Sequence, residues 1–389
     1  MKVLKKIESF DWLAFFVAFC MFIRMKPYFL WSQSYLFAWI PTIISSVILF
    51  SKSNLNNRKI IPLFIFWAFL FFSFMLLSDF KVARGMLTPI LLLVFIPFIK
   101  REFSIDIYKY FAFIMGIVLA ISLLVWILFI TGNVTSSGII SPLNAVKNYD
   151  YQVFPLLLVP VGHADFTRFC GPFDEPGVIG TTCLMLLYIA RYNLRKWYNV
   201  VFLIAGSCAF SLAFFVGLII FLFLLLFQPK GKKYLLFAAV FFGVFYSLTY
   251  DNDYIKPLVY DRLAWDSKTG KLEGENRSSS ALDAYFDQQR GSLEYFIGNS
   301  TRQCPSSFAG TWGYKNAIIA YGLLFIVGYV LFFFLLTIHN RLTFKSLVLT
   351  MALLLMVIYQ RPNLLEMLQV FMYSHLIVAN STRKEIQHG

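Results

Sequence analysis

The chain has 389 residues, of which 59% are hydrophobic, 19% aromatic and 14% charged; these values exclude an ordinary soluble domain and indicate a polytopic membrane protein. Its formal net charge of +14 does not point to nucleic acid, because the basic residues sit in short clusters between long apolar runs, as in cytoplasmic loops. The five cysteines, Cys20, Cys170, Cys183, Cys208 and Cys304, show no Cys-x-x-Cys spacing and no metal-ligand spacing with the histidines, which argues against a structural metal.

Lys2, Lys5 and Lys6 precede the first apolar run and no small-x-small cleavage site follows, so an uncleaved first helix with a cytoplasmic N-terminus is expected. Apolar segments over residues 9–24, 30–50, 60–78, 86–99 and 110–130 predict five crossings that end outside. Several are shorter than the ~20 residues of a perpendicular span. The stretch 131–175 is then the first large external loop, with an apolar middle, 154–161, expected to lie on or dip into the membrane. It closes in the run RFCGPFDEPGVIG at 168–180. Pro176 suits the first turn of a helix, and Asp174 or Glu175 just before it can cap the free amides. Arg168 beside that positive helix end makes either a phosphate site or a salt bridge to Asp174 or Glu175.

The sixth helix exits at Arg191, Arg195 and Lys196, and an apolar stretch over 198–227 leads to Lys230, Lys232 and Lys233. One straight helix would put these basic ends on opposite sides of the membrane. Two short helices meeting near Ser207 to Ser211, where Ala205 and Gly206 add small residues, keep both inside. A crossing over 234–250 then leads to a second external loop, 251–312, carrying Arg262, Arg277, Arg290 and Arg302. Within it Ser280 to Asp283 reads as a capped helix start, and Leu282, Tyr285, Phe286, Gln289, Leu293 and Phe296 follow at helical spacing. One amphipathic helix is expected there, with Arg277 just ahead of it, Arg290 on another face and Gly298 at its end. Crossings over 314–338, 345–359 and 363–380 return the C-terminus to the cytoplasm. The fold class is therefore all-α: one integral membrane domain, 1–389, with about twelve crossings and two large external loops.

The apolar segments hold almost no ionisable residues, which weighs against an ion-coupled transporter. No nucleotide-binding, metalloprotease or serine-hydrolase motif is present. Two arginine-bearing external loops, the adjacent carboxylates Asp174 and Glu175, and His163 suit a lipid-linked, diphosphate-bearing substrate.

An arginine followed by Gly-x-Phe-x-Glu-Pro-Gly at a helix start, here Arg168, Gly171, Phe173, Glu175, Pro176 and Gly177, resembles the O-antigen polymerase (Wzy) and O-antigen ligase superfamily. So does Arg277 followed by an aromatic-rich segment, Gly298, and Tyr321-Gly322-Leu323 within the next helix. The resemblance covers the plan of the whole chain and implies a metal-independent, GT-C-like helix bundle in the Gram-negative inner membrane. The implied activity is polymerisation of undecaprenyl-diphosphate-linked oligosaccharide repeat units during lipopolysaccharide biosynthesis, by a glycosyltransferase that needs no cofactor. In that chemistry the acceptor hydroxyl attacks the anomeric carbon and the diphosphate leaves. Arg168 and Arg277 stabilise the leaving group and Glu175 or Asp174 takes the proton. Arg290, His163, Gly177 and Gly298 are further substrate-site candidates, with Arg361, from Gln360-Arg361-Pro362 at an external corner. The implied partners are the lipid-linked oligosaccharide, membrane lipids and a polysaccharide chain-length regulator, and not nucleic acid. An O-antigen ligase and a lipid-linked glycan flippase are the alternatives; the ligase's histidine in the second loop has no counterpart in 251–312. Cys170 and Cys304, the cysteines placed outside, either form a disulfide or remain free thiols.

Overall fold

The computed structural model describes residues 10–31, 35–78, 80–142, 149–161, 168–226, 280–299, 313–361 and 364–381, with scattered positions between 236 and 272. Over these residues the chain is predominantly α-helical: α1 (Trp12–Arg24), α2 (Tyr35–Ser51), α3 (Ile61–Leu76), α4 (Phe80–Phe95), α5 (Arg101–Ile130), α6 (Pro176–Ile189), α7 (Trp197–Cys208) and α8 (Leu212–Leu226) form the first part. Then come α9 (Ser280–Gln289), α10 (Leu293–Ile297), α11 (Tyr314–Tyr321), α12 (Leu323–His339), α13 (Phe344–Gln360) and α14 (Met367–Ala379). Only scattered positions are described in the expected crossing over 234–250 and in the second loop before residue 280, and residues 300–312 lie outside the described residues.

Local chemistry starts the helices where the sequence suggests. The Asp11 carboxylate accepts from the amides of Leu13 and Ala14 at 3.0 and 3.1 Å and so caps α1. Pro176 sits in the first turn of α6, and the Thr343 hydroxyl accepts from the Ser346 amide at the start of α13. α5 begins nine residues before the expected segment, because Phe103, Ile107 and Phe111 continue its buried face through the polar stretch 101–109. Its 30 residues make a rod of about 45 Å.

Two helices run through the middle of the bundle. Residues 179–188 of α6 and 367–377 of α14 are buried on every face, as expected of helices with no polar stripe. α1 packs on α5, α5 on α7, α6 on α7 and α8, and α3 on α12. The hairpin expected over 198–227 is present as α7 and α8, which break at Ala209 to Ser211. Gly180 of α6 allows the close approach there, since a Cβ would come within 2.7 Å of Ser211 Oγ.

The structure refines one expectation and corrects two. The stretch 154–161 is a strand segment that packs on the protein. It folds as an antiparallel hairpin, β2 (Tyr151–Phe154) with β3 (Leu157–Pro160), joined by β1 (Gly138–Ile140). Phe154, Leu157, Leu158 and Val159 are covered by the protein, and Ser122 of α5 donates to the Leu156 carbonyl at 2.6 Å. The single amphipathic helix over 280–298 is two, α9 and α10, because Gly291 takes φ +83° between them and Ser292 caps the second. The crossing over 314–338 is bent by 105° between α11 and α12. Gly322 makes that bend at φ +83° and lies against Gly298, at φ +84°, backbone on backbone, so neither position has room for a side chain. Asn299 donates from its amide to the Ile319 carbonyl at 2.7 Å across the same joint. Leu282 and Phe286 of α9 close over Ile318 and Ile319 of α11.

Among the described residues, α5 alone is long and apolar enough to cross a membrane, and α11 with α12 qualify as a bent pair. The other apolar helices have 10–17 residues.

Candidate functional site

Four chain segments meet at one end of α6 and α14. The end of α1 brings Arg24 and, through the following loop, Lys26 and Trp31; the RFCGPFDEPG loop brings Asp174; α13 ends at Arg361; and α14 starts at Glu366. Between them lies a cavity of about 430 Å³, within the range of small-ligand sites. Its floor is the α6 face of Val178, Thr181, Thr182 and Met185, with Leu368 and Gln369 of α14.

The loop is held from below. The Tyr28 amide donates to Pro172 O and the Leu158 amide to Gly171 O, both at 2.9 Å. The Tyr151 hydroxyl donates to the Asp174 carbonyl. Burial pushes the Tyr151 phenol up from its usual pKa, with Tyr149 adding to the effect, so it stays a neutral donor. With its backbone fixed in this way, Asp174 lines the cavity.

Arg361 and Glu175 form an ion pair across the mouth of α6. Glu175 stands at the N-cap position but makes no cap bond with its side chain. The expected carboxylate cap is replaced by this charged contact, because a guanidinium is a stronger partner than a neutral amide. Gly177 makes the arrangement possible, since a Cβ there would lie 2.8 Å from Arg361 Cζ and 2.9 Å from Nε. The Glu-Pro-Gly motif thus divides into an acid that holds Arg361, a proline that starts the helix and a glycine that makes room for the guanidinium.

The cavity carries Arg24, Lys26 and Arg361 against Asp174 and Glu366, with Glu175 committed to Arg361. Glu366 also interacts electrostatically with Arg24. The N-termini of α6 and α14 both open here, and each contributes about half a positive charge. Gln369 is 3% exposed; its Nε2 donates to Arg361 O at 3.1 Å, while its Oε1 has no hydrogen-bond partner among the described residues. A buried acceptor in this position suits a ligand hydroxyl.

Arg168 sits elsewhere. Its Nε donates to Ala209 O at 3.0 Å and its Nη2 to Phe210 O at 2.9 Å, so the guanidinium covers the carbonyls left open where α7 ends. It does not line the cavity. Arg290 is exposed just past α9, and Gly298 packs on Gly322. His163, Arg277, Arg262, Arg302 and Cys304 lie outside the described residues, while Cys170 is buried. Among the described residues no three His, Cys, Asp or Glu side chains gather to hold a metal ion.

Sequence reasoning missed Arg24, Lys26, Trp31, Thr181, Thr182, Glu366 and Gln369. A signal for two of them was available: the topology expected from the sequence puts Arg24 and Lys26 at a short external segment, where the orientation rule expects few cations.

Comparison with protein-family models, with characterised proteins and with solved structures finds no match to this chain.

Proposed function

We propose that this chain is a polytopic inner-membrane polymerase of about twelve crossings that extends glycans carried on a lipid diphosphate. The observation that carries this reading is the cavity where Arg24, Lys26 and Arg361 face Asp174 and Glu366 at the N-termini of two central helices. Cations and helix ends suit a leaving diphosphate. The membrane reading is supported by the apolar surface of the outer helices: Phe69 is 67% exposed and Leu76 81% exposed on α3, and Val47 63% exposed on α2.

In the proposed reaction the acceptor sugar hydroxyl of the incoming unit attacks the anomeric carbon of the growing chain. The C–O bond to the diphosphate breaks with its electron pair, and the lipid diphosphate leaves. Arg361 and Arg24 take up the charge on the departing oxygens, and Lys26 adds a third cation at the rim. Asp174 or Glu366 accepts the hydroxyl proton. Glu175 is a positioning residue that holds Arg361, and Arg168 keeps the adjoining α7 to α8 hairpin closed. Trp31 offers an aromatic face for a sugar ring at the entrance.

Deletion of the chain followed by inspection of surface glycan tests the reading. A lipid core capped with single repeat units is the expected result. Loss of capping indicates a ligase or flippase, and lipid-linked units retained on the cytoplasmic side indicate the flippase.

A further inference from the structure

A second cavity, of about 760 Å³, lies at the opposite end of α14. The 13 residues of α14 separate the two by about 20 Å. It is bounded by the turn before α3, the end of α4, the start of α5 and the ends of α12 and α14. Its cations are Arg58, Lys59, Lys100 and Arg101, with Glu102 the one carboxylate in its lining and Asn54 and Asn57 adding amides. Arg101 is partly engaged, since its Nη2 donates to the Ala379 carbonyl at 3.2 Å. Among the described residues Arg58, Lys59 and Lys100 form no ion pair. Four cations against one acid, three of them unpaired, make a site for an anion.

What lies beside the cavity narrows the kind of anion. Immediately after Lys59, α3 carries Ile61, Ile65, Phe69, Phe72 and Leu76 at spacings of three and four residues, all exposed. They form one continuous apolar stripe running away from the cationic cluster. The cavity wall itself includes Ile60, Pro97, Phe98 and Ile99. A soluble phosphate has no use for such a stripe, whereas an amphiphile matches both parts, its headgroup among the cations and its acyl chains along α3.

We propose that this cavity is a binding site for the headgroup of an anionic phospholipid, seated with its acyl chains on the exposed face of α3. The proposal rests on the membrane placement of the chain and not on its glycan chemistry.

The test uses the full chain purified in detergent, with retained lipid read by native mass spectrometry against phosphatidylglycerol, phosphatidylcholine and inorganic phosphate. The wild type should prefer phosphatidylglycerol over phosphatidylcholine by about tenfold, and the triple change Arg58→Ala, Lys59→Ala and Lys100→Ala should abolish that preference. Lys109→Ala, on α5 but paired with Asp106 and outside the cavity, should leave it intact. The exchange Arg58→Lys with Lys59→Arg should also keep it, and thermal unfolding of each variant confirms that it is folded. An unchanged preference in the folded triple variant overturns the proposal. So does displacement of phosphatidylglycerol by inorganic phosphate at comparable concentration, which would make this a soluble-anion site. A chain that leaves the membrane without detergent overturns the membrane placement and this site with it, whereas detergent-dependent extraction with no headgroup preference overturns this site alone.

Discussion

The pairing of Glu175 with Arg361 allows a positioning role to be separated from a chemical one. Glu175→Gln keeps the shape and a hydrogen-bond acceptor but removes the negative charge. The Arg361 side chain is 14% exposed and that of Glu175 37%, so the pair falls between exposed pairs, worth up to about 1 kcal/mol, and buried ones, where losing a partner costs about 3–5 kcal/mol. A loss of about 1.5 kcal/mol is expected, which leaves Arg361 in place roughly tenfold less often. Polymerisation of lipid-linked units by the detergent-purified protein, read as product length on a gel, should slow by about that factor. Arg361→Ala should nearly abolish it, and the double variant should equal Arg361→Ala alone if Glu175 serves the reaction through the arginine. Two independent effects that multiply in the double variant would refute this reasoning and return Glu175 to the role of base. Product of normal length from Glu175→Gln would show that the pair does not matter to the reaction.

Gly177→Ala should push the guanidinium off Glu175 and shorten product without lowering the amount of protein in the membrane, checked by immunoblot alongside the glycan gel. Arg168→Ala should cost about 2 kcal/mol by exposing the carbonyls at the end of α7, and Arg168→Lys should recover only part of it because an ammonium lacks the fork; thermal unfolding in detergent measures both. Gly322→Ala should destabilise by about 3 kcal/mol, since its Cβ would meet the backbone of Ile297 and Gly298 at positive φ, and the same unfolding assay reads it. Reporter fusions after Arg195 and Thr343 should give cytoplasmic signals and a fusion near Lys271 a periplasmic one; a periplasmic signal after Arg195 would break the proposed topology.

Much of the helical plan was legible because long apolar runs, Pro176, Ser280 and the small residues around Ser207 are strong local signals. The bend at Gly322 was not, since Tyr321 and Leu323 continue the apolar run on both sides and only the contact with Gly298 explains the glycine. For the candidate site, the motif 168–180 led to the right place but to the wrong neighbours. Glu175 was read against Arg168, close in sequence, whereas its partner is Arg361, 186 positions away. Arg168 answers to carbonyls at 209 and 210, which no spacing rule connects to it. Pairings between distant segments follow from how helices pack, and a pattern read along the chain carries no information on that.

The cavity takes Arg24 from the first helix and Arg361, Glu366 and Gln369 from the last part of the chain. At ribosomal rates of about 5–20 residues per second, the interval between the first and the last of these is roughly twenty seconds to a minute. During that time Arg24 has no Glu366 beside it, and α6 has neither Arg361 nor α14 to cover its open end. A chain interrupted just before α14 would hold the other described helices and still have an incomplete cavity. A copy truncated before α14 therefore lacks the Glu366 and Gln369 side of this cavity.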